Sequence, residues 1–361
     1  MSNILITGGA GFIGRHVARA LLARGDKVRL YDALIAQVHS GAADAPPNGA
    51  ELVVGDIRDA ARLREALAGV DKVIHLAAEV GVGQSMYAID RYVGANDLGT
   101  AVLLQALTST PVARVVVASS MSIYGEGLYR DAEGRPVEEV SREGARPGHW
   151  DLPDLTPAPT PESKRPNLAS VYALTKFVQE RLTLSVCAAY GMEAVALRLF
   201  NVYGPGQALS NPYTGVLAIF ASRLLNGRPP LVFEDGLQQR DFVHVSDVAA
   251  AFLAALDAPQ AAGQVYNIGS GERRTILDVA RTLAQAMARP EIAPELTEKC
   301  RAGDIRHCFA DISKAKAELG FTPRVEFSDG LAELVDWLRA QSAVDGAEEA
   351  RRELEARGLV A

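Results

Sequence analysis

Residues 4–14 read Ile4-Leu5-Ile6-Thr7-Gly8-Gly9-Ala10-Gly11-Phe12-Ile13-Gly14. The apolar run is a buried strand, the glycines are a loop, and a helix is predicted over 15–24. Gly8, Gly11 and Gly14 stand at intervals of three, and Gly9, Gly11 and Gly14 fit Gly-x-Gly-x-x-Gly. Such a turn needs glycine where φ is positive and where backbone must touch a pyrophosphate. The following helix offers free N–H groups and the positive end of its dipole to the phosphates. A tight strand-to-helix turn is the plain alternative. The next strand, Lys27-Val28-Arg29-Leu30-Tyr31-Asp32, ends in an acid eighteen residues after Gly14. That is close to the spacing at which a carboxylate accepts from the adenosine ribose. The stretch therefore predicts dinucleotide binding. Asp32 would repel a 2′-phosphate, and Ala33 and Leu34 bring no compensating charge, so NAD is expected rather than NADP.

A chain of 361 residues can bury a large core. Its net charge of −7 excludes general affinity for nucleic acid or an anionic membrane. Cys187, Cys300 and Cys308 are scattered and form no Cys-x-x-Cys, so no disulfide framework and no metal site are predicted. The first residues enter a strand without a basic leader, and no apolar run reaches the roughly 18 residues of a bilayer span. The expectation is a soluble cytoplasmic protein.

Apolar runs at 51–57, 72–78, 114–120 and 194–200 alternate with helical patterns at 91–107 and 170–190. That alternation means an α/β fold with a doubly wound parallel sheet. The predicted NAD-binding unit covers 1–200. Residues 126–169 interrupt it, rich in Pro, Glu, Arg and Gly, and read as a functional flap or a partly disordered stretch, by default a solvated insertion. A smaller α/β lobe is predicted over 201–342, interleaved with the main sheet. The tail, 343–361, carries Glu348/Arg352 and Glu353/Arg357 at i,i+4 and reads as a solvated helix.

Tyr172-Ala173-Leu174-Thr175-Lys176 puts a phenol and an ammonium on one helical face. A free phenol, with a pKa near 10, is a poor base at neutral pH. A neighbouring ammonium and a positive nicotinamide would bring it toward working range. Ser119-Ser120 closes a preceding strand, at the edge where a doubly wound sheet presents its ligand site.

These residues, with Gly55-Asp56-Ile57, His75-Leu76-Ala77-Ala78, Arg198-Leu199-Phe200-Asn201-Val202-Tyr203-Gly204-Pro205, Arg240-Asp241-Phe242-Val243-His244-Val245 and Arg301-Ala302-Gly303-Asp304, resemble the short-chain dehydrogenase/reductase superfamily in its extended branch. That branch holds nucleotide-sugar epimerases and dehydratases, and the resemblance runs from about residue 4 to 338. It implies a Rossmann sheet with Ser120, Tyr172 and Lys176 as the catalytic set. It places Phe12, Ile13, Asp56, Ile57, Leu76, Ala77 and Ala78 on the cofactor beside the glycines and Asp32. It gives the substrate's diphosphate to Asn201, Arg240 and Arg301 and the ribose to Asp304. It sets Leu231 and Phe233 against the base, and adds Ser122, Val216 and Cys308 to the substrate side. A diphosphate does want guanidinium groups and amide donors.

Dehydratases of the branch carry an Asp-Glu pair where this chain has Met121 and Ser122. Its decarboxylases keep a Glu that is also missing here. The pattern left is a 4-epimerase working through a transient 4-keto sugar. Stretches 83–87, 207–216 and 233–236 look most like dTDP-L-rhamnose 4-epimerases. UDP-sugar 4-epimerases, 4-ketosugar reductases and a silent NAD-binding regulator are the alternatives. The expected partners are a dTDP- or UDP-sugar and, through the helices at 91–107 and 170–190, a second copy of the chain.

Overall fold

The computed structural model describes every residue except 40–44, 143–145, 214, 302, 342–343 and 361. Part of the stretch between the second and third apolar runs, two motif residues (Thr214, Ala302) and the 342/343 boundary thus lie outside the described residues. The apolar runs form seven parallel strands: β1 Asn3–Thr7, β2 Lys27–Asp32, β3 Ala50–Val54, β4 Lys72–His75, β5 Arg114–Ser120, β6 Glu193–Leu199 and β7 Val265–Ile268. Their spatial order is β7-β6-β5-β4-β1-β2-β3. Thr7 registers with Tyr31 on one side and His75 on the other. The chain order reverses at β1, so a crevice opens at its carboxyl end.

Five helices matter to the site: α1 Phe12–Arg24, a composite α2, α3 Val171–Ala189, α4 Val245–Asp257 and α5 Ala347–Ala356. α1 and α4 cover one face, where Val17, Leu21, Val248 and Phe252 share a core with Ile6 and Leu30. α2 and α3 cover the other, where Leu103, Leu107 and Cys187 pack on Leu5, Val73 and Val115. Strands buried on both faces need apolar residues throughout, which is why β5 is buried at every position. α2 departs from the plain helix predicted at 91–107. It runs as Ile89–Tyr92, a π-helical turn Val93–Leu98, then Gly99–Ser109. The wider turn holds Asn96 inward, where its amide donates to Thr175 Oγ1 at 2.9 Å.

Short strands build the second lobe's half of the site. Gln239–Arg240 lies between Arg274–Thr275 and His307–Cys308, with Arg240 opposite Cys308. The core behind them packs Leu217, Phe220 and Leu224 on Leu283, Leu331 and Leu334.

Two expectations need correction. The 126–169 stretch is solvated only in part. It holds an antiparallel sheet of Leu128–Arg130, Pro136–Val137 and Thr156–Ala158, and it buries Tyr129, Trp150, Thr160 and Lys164. Its charges have distant partners: the Glu126 carboxylate accepts from the backbone of Arg306 and His307 at 2.5 and 3.1 Å. The tail helix α5 is not free either. Ala350 and Leu354 are buried, and Glu348 pairs with Arg351 at 2.9 Å in place of Arg352, while Glu353–Arg357 stands at 3.1 Å. Among the described residues, no helix is long and apolar enough to cross a membrane.

Candidate active site

The crevice at the end of β1 is lined by Gly8, Gly11, Phe12, Ile13, Gly14, Asp32, Asp56, Ile57, Leu76, Ala77 and Ala78, and by Ser120, Tyr172 and Lys176 at its far end. Gly8 has φ +67°, and a Cβ there would sit 2.8 Å from the Ala77 nitrogen. A Cβ on Gly14 would meet the Gly8 carbonyl at 2.6 Å. Side chains at either position would fill the cradle. α1 starts beyond Gly11 with no side-chain cap, leaving its first N–H groups to the crevice. Asp32 is braced by N–H bonds from Ala10 and Leu34 at 3.0 and 2.9 Å. Arg58 grips Asp56 at 2.6 Å and holds its carboxyl below the ordinary range. This donor set, with its narrow glycine floor, fits a dinucleotide.

At the far end, α3 begins at Ser170, whose hydroxyl caps the Ala173 N–H at 3.1 Å. The helix then presents Tyr172 and Lys176 to the end of β5. Burial raises the Tyr172 phenol above its ordinary value, and the neighbouring Ser120 hydroxyl works against that rise. Ser120 Oγ also lies 3.2 Å from Ser122 Oγ. Lys176 does not supply the acidifying charge expected of it in the chain alone. Its ammonium donates to Gln179 Oε1 at 2.6 Å, and burial pushes its own pKa down to about 7. The positive nicotinamide is the part of that expectation the chain's own residues do not supply.

The substrate-side residues come from separate strands and loops. Asn201 donates its amide to the Asp241 carbonyl at 2.9 Å. Arg240 bonds the Gln239 and Arg306 carbonyls at 2.9 and 3.0 Å and also that of Ile305. Asp304, Cys308 and Glu126 all act on its charge, so these groups share one region. Arg301 and Asp304 pair with each other through two bonds of 2.9 Å, and the guanidinium stacks 4.4 Å over Phe233. A diphosphate and a ribose would have to part them. Cys308 is buried with Met121 and Tyr124, and burial pushes its thiol up to about 12. Leu231 is buried, and Val216 opens the helix Val216–Leu225.

Residues 4–269 match the NAD dependent epimerase/dehydratase family. The chain belongs to that family. It is 38% identical to a dTDP-L-rhamnose 4-epimerase of Burkholderia thailandensis, over 93% of this chain and 94% of the relative. It is 33% identical to a dTDP-glucose 4,6-dehydratase of Actinoplanes sp., over 94% and 98%. Its fold is similar to the crystal structure of the Thermus thermophilus UDP-glucose 4-epimerase in complex with NAD. That likeness has a TM-score of 0.75 at 31% identity and covers 94% of this chain and 99% of that one.

Within this family member the structure adds a residue that no motif announced. Gln179 lies one turn beyond Lys176. Its amide donates to Thr100 Oγ1 at 2.9 Å and to the Ala77 carbonyl at 3.2 Å. Beside it His75, which burial pushes down to about 3, meets Thr7 Oγ1 at 2.7 Å. The only signal in the sequence is the i,i+3 spacing of Lys176 and Gln179, which is common on any helix. The network has a thermodynamic consequence. Moving a buried ammonium from 10.5 to about 7 costs roughly 5 kcal/mol, and leaving Gln179 Oε1 unpaired costs about 1–3. Lys176→Met should therefore raise the melting temperature of the cofactor-free chain. Below pH 7 folded and unfolded chains both hold the proton, and the penalty is full. Above it the unfolded chain binds more protons, so wild-type stability climbs with pH. The gain from Lys176→Met should shrink from pH 7 toward about pH 10 in calorimetric scans. A constant gain across that range would show that the ammonium is not buried as a charge.

Proposed function

We propose that this chain is an NAD-dependent nucleotide-sugar 4-epimerase acting on the dTDP-L-rhamnose and dTDP-6-deoxy-L-talose pair. One observation carries the reading: a glycine cradle leads straight to Ser120, Tyr172 and Lys176, with Met121 and Ser122 where loss of water would need an acid and a base. The 38% identity to the Burkholderia enzyme supports the choice of sugar. Bound NAD supplies the reversible acceptance and return of a hydride at the sugar's C4. Tyr172 Oη takes the proton from the 4-hydroxyl and gives it back. Ser120, beside that phenol in the crevice, orients the hydroxyl and shares the proton. Lys176 turns from Gln179 to the cofactor ribose and keeps the tyrosine acidic. Arg240, Arg301 and Asn201 anchor the diphosphate while the 4-keto sugar turns over. We assign cofactor binding mainly to 1–200 and sugar-nucleotide binding mainly to 201–342.

We further propose a homodimer and a cytoplasmic setting. Ile89, Val93 and Leu98 on α2 are 50%, 40% and 53% exposed, and Leu174 on α3 is 45% exposed. Four apolar side chains on two adjacent helices suit a bundle shared with a second copy. The three free cysteines suit a reducing compartment. The deciding experiment incubates the purified enzyme with dTDP- and UDP-hexoses without added cofactor and follows C4 by NMR. Inversion of dTDP-L-rhamnose is expected. Inversion confined to UDP-hexoses would replace the substrate reading. Stoichiometric use of reduced cofactor on a 4-keto sugar would make the enzyme a reductase.

A further inference from the structure

Three stretches left without work by the mechanism meet at one place: 83–87, 207–216 and the charged tail. The Tyr87 and Tyr213 hydroxyls lie 2.6 Å apart, and each is within hydrogen-bonding distance of Glu353 Oε2, at 3.0 and 3.2 Å. Arg357 bonds the other carboxylate oxygen at 3.1 Å and lies 4.4 Å over the Tyr87 ring. One turn of α5 thus carries both the acid that joins two tyrosines and the cation that covers one of them. Leu354 packs 3.3 Å from where a Gly83 Cβ would stand, and Tyr213 Cβ 2.8 Å from that of Gly81. Loop 81–87 has no room for a side chain at Gly81, where Tyr213 fills the space, and little at Gly83, where Leu354 of the tail lies.

The same loop is fastened to the catalytic tyrosine. Ser85 Oγ accepts the Tyr172 backbone N–H at 3.0 Å. Any shift of loop 81–87 is therefore felt at the start of α3. The other end of the tail reaches the diphosphate side, where Val360 forms an antiparallel bridge with Arg301 and Glu355 pairs with Lys299 at 2.8 Å. Its root is held by buried Arg223, which faces Asp345 and Glu348 at 3.5 and 3.4 Å. The segment thus reaches the backbone of Tyr172 through loop 81–87 and directly bridges Arg301, the residue proposed to hold the diphosphate.

We infer that Asp345–Val360 is a working part of the sugar-nucleotide site, and that Glu353 is a positioning residue acting through Tyr87 and Tyr213 on loop 81–87 and through the helix end on Arg301. The inference rests on the epimerase reading. Its mark is selective: the strap bridges Arg301, proposed to grip the diphosphate, and none of its contacts among the described residues falls on the glycine cradle.

Glu353→Ala removes the acceptor shared by both tyrosines. KM for the nucleotide sugar should rise about tenfold, with kcat changed less than about threefold. Binding of dTDP alone, by calorimetry, should weaken by a similar factor, while NAD affinity stays at the wild-type value. Glu353→Gln keeps an oxygen toward the tyrosines and should recover most of the loss. Glu353→Ala with unchanged KM and dTDP affinity would overturn the inference. So would an equal loss of NAD affinity, which would mark general loosening of the fold. If wild type inverts no sugar, the epimerase reading fails, whereas the dTDP titration still tests the strap because it needs no turnover.

Discussion

Tyr172→Phe should lose turnover by about a thousandfold or more and bind NAD as tightly as wild type. Positioned general acid–base groups contribute roughly 10²–10⁴ in rate, and in the proposed mechanism one oxygen does both proton transfers at O4. The substitution removes only that oxygen. The ring's neighbour, Tyr92, stays in edge contact at a centroid distance of 6.4 Å. The N–H bond to Ser85 belongs to the backbone and persists. The cradle lies at the other end of the crevice, built by Gly8, Gly14 and the braced Asp32. Cofactor affinity by calorimetry and C4 inversion by NMR therefore separate the two roles. Turnover within about tenfold of wild type would remove Tyr172 from proton transfer.

The cradle was legible because its constraints are local. Gly8 needs a positive φ and Gly14 a close backbone approach, and both needs arise within eleven residues of sequence. The parallel sheet was legible for a similar reason: strands covered on both faces are apolar at nearly every position. The 126–169 region was misread because its composition is that of a solvated loop. Some of its charges pair with partners far along the chain: Arg142 with Glu234 at 2.8 Å and Asp151 with Arg306 at 2.7 Å. The tail was misread in the same way. Its i,i+4 pairs describe an isolated helix, whereas Glu353 meets Tyr87 across 266 residues. Lys176 shows a different limit. Its place on the helix face followed from spacing, but whether its ammonium faces the phenol or Gln179 depends on side chains from β4 and α2. The π-helical turn of α2 has no counterpart in the apolar pattern, since the residue it turns inward, Asn96, is polar and held there by Thr175 from another helix.

Glu180→Ala should cost about 3–5 kcal/mol of stability, the scale of a broken buried ion pair. Glu180 is 1% exposed, and Arg198 Nη2 and Nε reach its two oxygens at 2.8 and 3.0 Å. Arg198 also donates to Tyr124 Oη at 2.8 Å and to the Glu162 carbonyl at 3.0 Å. Burial works against its charge, yet the bonds to Glu180 and Tyr124 hold the guanidinium above its ordinary range. Removing the carboxylate leaves that cation buried and robs Ser119 of its acceptor, 2.7 Å away. The urea midpoint should fall with the slope unchanged. Ser119→Ala, which deletes one hydrogen bond, should cost only about 1 kcal/mol. Glu180→Leu combined with Arg198→Met should cost less than the sum of the single changes, because no charge is left stranded. A loss under about 1 kcal/mol for Glu180→Ala would mean that water or a shifted side chain replaces the carboxylate. The pair also bears on chemistry. Glu180 lies one turn beyond Lys176 on α3, and Ser119 immediately precedes Ser120 on β5. The ion pair thus clamps the helix that carries the phenol to β6, and the Ser119 bond to Glu180 ties that helix to β5, the strand that carries Ser120. Glu180→Ala protein that remains folded should therefore turn over more slowly, although neither Glu180 nor Arg198 is assigned a contact with the reacting sugar.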